Sequence, residues 1–309
     1  MEPESKDRKS IRDLQVRLAD YLISMKVGDQ IPSIRQLAAL THMSVGSVST
    51  ALNALQDMGA VKIQNHGHRG SELVGLALDR LWNLVEQGPL VLSLTLPMHS
   101  HFEGLATGIK RALEQKGIET YLIFIRGSRT RLKALNENRC HVTLMSGLAA
   151  DELCGPEHEI LMQLPPGSWI STYGVYYRAA AAGQSSPLRV AVDRDSYDHR
   201  RLSELEFGGQ NVEFHWVPFI QIPRLLRRGE VDATVWTVDQ AETYLGPGIQ
   251  LRSLSEQVMT QVGAKSTSAT FIGRVGSHTV KAVLEASIDP SQVMEIQNKI
   301  VSGEMIPEY

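Results

Sequence analysis

The apolar residues change period at Leu90, and that change constrains the fold more than any other feature of the chain. Before it, apolar side chains recur at helical spacing in three stretches and then in two very short strand-like ones. After it, nearly continuous apolar runs such as LVLSLTL (90–96), TYLIFI (120–125) and HVTLM (141–145) alternate with helix-period segments. A helical region closed by a hairpin and a strand–helix repeat do not share one core, so the 309 residues predict separate domains. The 42% hydrophobic content is enough to fill packed cores and excludes a disordered chain.

Ile11, Leu14, Leu18, Leu22 and Met25 predict an amphipathic helix over 10–26, closed by Gly28. Ser33 is a good N-cap for a short second helix whose buried face is Ile34, Leu37 and Ala38. Thr41-His42-Met43 make a tight connection. Ser44 then caps a third helix with the buried stripe Val48, Leu52 and Leu55, and Gly59 ends it. Two short strands, 61–64 and 71–74, flank the turn Asn65–Gly70. Three helices and a hairpin predict an α+β winged helix-turn-helix head over residues 1–75. On its third helix Gly46, Ser47, Ser49, Thr50 and Asn53 face away from the buried stripe, small and polar enough to enter a major groove. Ser33 and Ser44 start helices where backbone N–H groups favour phosphate, and the hairpin tip carries His66, His68 and Arg69. An ordinary helical subdomain with a hairpin would show the same spacing.

Charge supports the DNA reading only when it is taken locally. The chain is acidic overall, at −3, while residues 1–75 hold nine basic against eight acidic side chains. Between Ser33 and Ser71 the one acid is Asp57, set against Arg35, Lys62 and Arg69. A surface nearly free of carboxylates approaches phosphate without self-repulsion.

The runs IPSIRQLA, MSVGSVSTALNALQDMGAV and NHGHRGS resemble the GntR-type DNA-binding domain over roughly residues 10–74. The resemblance implies DNA contacts from Arg35, Ser44, Ser47, Thr50, His66, Gly67 and Arg69. It departs from the family at Val45 and Ser49, where GntR proteins usually carry arginines, so the usual guanine contacts are missing.

Residues 76–88 predict a linker helix whose Leu76, Leu81, Leu84 and Val85 are available to a second subunit. The remainder, 89–309, predicts a two-lobed α/β domain with parallel sheets and right-handed crossovers. After the small-residue stretch Ala179–Pro187 a second series starts with LRVAV (188–192), NVEFHWV (211–217) and DATVWTV (232–238), placing the second lobe at about 183–265. TSATFIGR (267–274) and two helices within 276–302 follow and are expected to return to the first lobe. The phrases EGLATGI, RLKALNENRCHVTLMS and IPRLLRRGEVDATVW resemble the type II periplasmic-binding-protein fold used in LysR-type effector domains. Together with the GntR-like head, the chain resembles the YhfZ-like regulators.

In such sheets ligands bind beyond the carboxyl ends of the strands. Met98, Ser100, Arg126, Gly127, Ser146, Asp195, Ser196 and Trp236 are therefore expected at a ligand site. Arg126, directly after a buried strand, is the expected charge partner of a small anionic or zwitterionic effector, with Trp236 or Tyr197 over an apolar part. Ser100, Ser128, Ser146 and Ser196 equally read as helix caps, and Arg126 as half of a structural salt bridge. Asp193 and Asp195 allow an acid–base pair, although capping fits a loop beside Arg194 better.

No cofactor and no metal are expected. His66-Gly-His68 and His99-Ser-His101 lack further ligands at metal spacing, and two cysteines make neither a zinc module nor a disulfide scaffold. Cys140 reads as a packed core thiol. Gly104 and Gly108 read as sites of close helix–sheet packing. There is no P-loop, Rossmann fingerprint or nucleophile elbow. No apolar run is long enough to span a membrane, and MEPESKDRKS lacks the apolar stretch of a secretory signal. The sequence thus predicts a cytoplasmic, homodimeric, non-enzymatic regulator that binds double-stranded operator DNA and a small effector. The alternative is a small-acid lyase, or another enzyme on the same two-lobed fold.

Overall fold

The structure is a computed structural model describing residues 3–86, 88–181 and 187–309. It divides into two compact units, Met1–Leu90 with Ala112–Tyr121 and Gly276–Ser287, and Val91–Arg111 with Leu122–Val275 and Ile288–Tyr309.

In the first unit α1 (Pro3–Leu22) starts earlier and ends earlier than the apolar spacing predicts, with Leu14, Leu18 and Leu22 buried and Met25 beyond its end. A short strand, β1 (Gln30–Ile31), precedes α2 (Ile34–Thr41). Ser33 caps α2 in a reciprocal box. Its Oγ accepts from Gln36 N at 3.3 Å, and its own N–H donates to Gln36 Oε1 at 2.8 Å. Leu37 and Ala38 are buried as expected, but Ile34, in the open first turn, is 38% exposed. His42 takes a left-handed φ of 55° to end α2. Ser44 then caps α3 (Val45–Asp57), which buries Val48, Ala51, Leu52 and Leu55. Strands β2 (Val61–Asn65) and β3 (Ser71–Leu76) form the hairpin, and β1 joins β3 to give the order β1-β3-β2.

The linker helix is shorter than expected and is not a free linker. Leu76 ends β3, and α4 (Leu78–Val85) buries Leu78, Leu81 and Trp82 while packing on α1. Leu81 therefore belongs to this unit's own core rather than to a subunit contact, and Leu84 and Val85 are half-buried. Gln87, inside the expected linker, lies outside the described residues.

The second unit holds two sheets. The first lobe runs β4 (Leu90–Leu94), α5 (Ser100–Glu114), β5 (Thr120–Phe124), α6 (Ser128–Asn136), β6 (Val142–Ser146), α7 (Gly147–Leu153) and β7 (His158–Gln163). The chain then crosses to β8 (Tyr173–Arg178), β9 (Leu188–Asp193), α8 (Tyr197–Glu206), β10 (Val212–Val217), α9 (Ile222–Arg228), β11 (Ala233–Thr237), α10 (Ala241–Tyr244) and β12 (Ile249–Ser253). Through α11 (Glu256–Thr267) it returns as β13 (Ala269–Arg274), followed by α12 (His278–Ser287) and α13 (Pro290–Val301).

The sheet orders are β5-β4-β6-β13-β7 and β10-β9-β11-β8-β12. Each has a parallel part (β4 with β6; β9 with β10 and β11) and one strand that enters from the other lobe and runs antiparallel. β13 pairs antiparallel with β6 and β7, and β8 with β11 and β12. The sheets are thus mixed rather than wholly parallel. The same order in both lobes, with one strand exchanged, is the periplasmic-binding-protein-like fold.

The second lobe begins at β8, upstream of the expected start at 183, a position that lies outside the described residues. Its expected end near 265 falls inside α11, which packs on both α7 and α8. β13 returns to the first sheet, as expected. α12 does not stay with the 89–309 domain: it contacts α4, and His278 Nε2 meets Asp20 Oδ2 at 2.8 Å within the first unit. Gly104 and Gly108 pack against a helix rather than a sheet, since a Cβ on them would meet Gln297 and Val293 of α13. Cys140 is buried, with Sγ 3.6 Å from Ser93 Oγ.

Candidate ligand cleft and nucleic-acid face

Within the second unit the carboxyl ends of β4, β5, β6, β9 and β11 open onto a cleft with about 90 Å³ of space open to a water-sized molecule. Apolar and aromatic side chains with a few polar groups wall it, as at small-molecule sites. Met98, Arg126, Gly127, Ser146, Asp195, Ser196 and Trp236 line it, as do Ser128 and Tyr197. Ser100, the first residue of α5, does not. Ser146 and Ser196 also cap α7 and α8, so for these two the capping and the lining readings both hold.

Arg126 is not a free charge. Its Nη2 lies 2.5 Å from Asp193 Oδ1 and its Nη1 3.2 Å from Asp195 Oδ2, joining the first lobe to the second. The guanidinium also sits 5.1 Å from the Phe219 ring centre. Burial pushes the Asp193 carboxyl up, and Arg126 opposes the shift. Both aspartates thus clasp Arg126 across the lobes. Gln240 Nε2 adds a second bridge to the Met98 carbonyl at 3.2 Å. Arg126→Ala leaves Asp193 buried without a contact cation. We expect a loss of ~1–3 kcal/mol, discounted for a half-exposed arginine. Most of it should return in the Arg126→Ala/Asp193→Asn double variant, as thermal unfolding of the four proteins will read.

The buried charges of the cleft are ones the sequence did not single out. Arg131 on α6 is 3% exposed. Its Nε and Nη1 donate to the carbonyls of Leu144 (2.9 Å) and Ile125 (3.0 Å), and its guanidinium lies 5.8 Å from the Trp169 ring centre. Burial lowers its pKa to about 10, while the charge of Asp198 works the other way. Asp198, in the first turn of α8, accepts from Ser146 Oγ at 2.6 Å and from the Tyr173 hydroxyl. Burial raises its pKa to about 6 against the pull of Ser146, Arg131 and Tyr173. His99 lines the cleft beside Phe102, 4.4 Å between ring centres, and neither ring nitrogen has a hydrogen-bond partner among the described residues. Burial lowers its pKa to about 4, so it is neutral at pH 7.

His101 instead pairs with the Gly167 carbonyl at 2.7 Å, and no cluster of metal-ligand side chains occurs among the described residues. Trp236 forms the expected apolar wall, stacked on Phe219 at 5.4 Å and fixed by Nε1 donating to Gln240 Oε1 at 2.6 Å.

In the first unit the outer face of α3 presents Val45, Gly46, Thr50 and Asn53 to solvent, with Ser47 and Ser49 half-buried. The hydroxyls of Ser44 and Ser47 pair with each other at 2.8 Å. Arg35 and Arg69 are exposed, and Gly67 takes a φ of 63° at the hairpin tip. His66 Nε2 lies 3.2 Å from Glu72 Oε2, which ties that imidazole to the hairpin. Among the described residues no helix is long and apolar enough to cross a membrane.

The chain thus joins a helix-turn-helix head to a periplasmic-binding-protein-like α/β body. The YhfZ C-terminal domain matches residues 78–309, and a helix-turn-helix domain matches 26–73. The chain belongs to the YhfZ family. It is 28% identical over 294 residues to the uncharacterized protein YhfZ of Escherichia coli K12, covering 94% of this chain and 95% of that one. The crystal structure of YhfZ from Shigella flexneri superposes with a TM-score of 0.62 at 25% identity, over 75% of this chain and 98% of that one. A hydrogen-peroxide-bound mutant of OxyR from Corynebacterium glutamicum is similar at a TM-score of 0.47 and 11% identity, covering 95% of this chain and 96% of that one.

Proposed function

We propose that this protein is a ligand-responsive DNA-binding regulator of transcription, not an enzyme, acting in the cytoplasm as a homodimer on a palindromic operator. Arg35, Ser44, Ser47, Thr50, His66, Gly67 and Arg69 are its DNA contacts. A small anionic or zwitterionic molecule bound between the lobes is its effector, and Met98, Arg126, Gly127, Ser146, Asp195, Ser196 and Trp236 are its candidate contacts. The observation that carries this reading is one chain holding both a helix-turn-helix with a nearly acid-free outer face and a cleft lined by a buried arginine that makes no ion pair among the described residues. The effector must bind the DNA-competent and DNA-incompetent states unequally, since equal affinity shifts nothing. We expect a gel shift on DNA upstream of the protein's own operon, weakened at least tenfold by Thr50→Asp, which adds a carboxylate to the α3 face. No shift at low salt, with or without small acids, would sink the proposal.

One feature favours the lyase alternative: burial pushes the Asp198 carboxyl up to about 6 inside the cleft, the direction in which catalytic acids are shifted. Chemical conversion of a bound acid, followed by NMR, would favour it.

A further inference from the structure

Two opposite charges line the cleft from opposite lobes without touching. Arg131, from the first lobe, has two of its three nitrogens occupied by backbone carbonyls and makes no ion pair among the described residues. A buried guanidinium without a contact anion is costly, and the cleft is where an anion can reach it. Asp198, from the second lobe, is held instead by Ser146 Oγ and the Tyr173 hydroxyl. His99 also lines the cleft with ring nitrogens that have no hydrogen-bond partner among the described residues, and the rings of Phe102 and Trp169 pack edge to face at 4.9 Å.

We propose that the cleft takes a small carboxylate on Arg131, with His99 as its neutral hydrogen-bond partner, and that the same event places a proton on Asp198. The proposal rests on the effector reading above and specifies its chemistry. A carboxylate arriving at Arg131 brings a second negative charge into a water-poor space already holding the Asp198 carboxylate, and like charges there disfavour joint ionisation. Solvent supplies the proton. Both hydroxyls around Asp198 can turn from donating to accepting, so the protonated acid keeps its hydrogen bonds.

The elements packed on α8 do not offer another route. α7 carries Asp151 and Glu152, and α11 carries Glu256 and Lys265, the last paired with Asp151. β9 carries Arg189, paired with Asp232, and Asp193, paired with Arg126. β11 has no titratable side chain. On α8 itself the neighbouring His199 is kept neutral, its pKa lowered to about 3 by burial. Asp198 already lies at about 6 through burial, within reach of a ligand-driven shift past neutrality.

The test is calorimetric titration of acetate, pyruvate and benzoate into the full chain between about pH 6 and pH 8. Repeats in phosphate and Tris at about pH 7 count protons. We expect at least one carboxylate to bind with uptake of about one proton, its affinity falling roughly tenfold per pH unit above pH 7. Asp198→Asn should hold that affinity nearly constant across the range, and Arg131→Lys should weaken it at least tenfold at every pH. Carboxylate binding without proton uptake, or an Asp198→Asn protein that keeps the pH dependence, overturns the proposal but leaves the effector reading standing. Silence of all three acids also overturns it. If benzamide bound in their place, the ligand cleft would survive and its anion chemistry would not.

Discussion

Gly104→Ala is expected to destabilise the protein by ~1–3 kcal/mol, the range for overpacking a well-filled contact. An alanine inside a helix normally gains ~1 kcal/mol over glycine, so the sign alone tests the packing. The added Cβ would sit 2.7 Å from the Cα of Gln297 and 3.0 Å from its carbonyl oxygen. α13 has little freedom to retreat. Gln297 is fully buried, and its Nε2 donates to the carbonyls of His101 and Ser168, each at 2.9 Å. The strain falls on the start of α5, directly behind the loop that brings Met98 and His99 to the cleft. Denaturant titration of Gly104→Ala against Gly46→Ala makes the comparison. At Gly46 a Cβ meets only Ser44 Oγ, at 3.9 Å, and that variant should be neutral or slightly more stable.

Arg189→Ala is expected to cost ~1–3 kcal/mol, the cost of breaking a buried ion pair discounted because the Arg189 side chain is 36% exposed. Arg189 grips Asp232 with Nε and Nη2, both at 2.8 Å, and its Nη1 and Nη2 also donate to the Glu230 and Gly229 carbonyls. Asp232 is 3% exposed, and without the Arg189 side chain it keeps the backbone N–H of residue 189 at 3.1 Å and, among the described residues, one contact cation, Arg178 at 3.6 Å. Burial pushes the Asp232 carboxyl up, but the hydrogen bonds and charge of Arg189 outweigh it and leave the carboxyl below its usual value. A carboxyl depressed in the folded state stabilises above its unfolded pKa of ~3.9, and that stability is lost as pH falls through the folded value. The gap between wild type and Arg189→Ala should therefore be largest near neutral pH and shrink in acid. Urea unfolding at about pH 3 and pH 7 measures it.

The same pair shows why parts of the body were legible. The run RRGEVDA (227–233) is the short turn that delivers Asp232 to the start of β9, so its spacing carries the geometry. The head was legible for a similar reason: Ser33, Ser44 and the stripe Val48, Leu52, Leu55 act within one or two turns of chain. β7, β8 and β12 were not legible. HEILMQ and IQLRS lie at sheet edges with few buried positions, and YGVYYR is an aromatic strand whose neighbours come from distant parts of the chain. Arg126 was legible as a residue at the lip of a strand, but its ion-pair partner Asp193 lies 67 positions away, beyond the reach of local spacing. Arg131 was hidden in RLKAL, which reads as an ordinary exposed helix turn. Its burial is set by Trp169 and by the carbonyls of two strands.

The two passages of chain between the lobes, 164–172 and 254–268, have a mechanical consequence. They run side by side and are fastened to each other: Gly167 N and Trp169 N both donate to the Thr267 carbonyl, at 3.0 and 2.8 Å, and Ala269 N donates to Ser168 Oγ at 2.9 Å. A single tether permits both twist and bend. A laced pair resists torsion and leaves flexure about one axis as the soft degree of freedom. Trp169 and Ile170, which belong to that flexure, are also walls of the cavity. Under the proposed effector reading, a molecule seated in the cleft would press on the pivot itself, and its size would set the angle at which the two lobes come to rest.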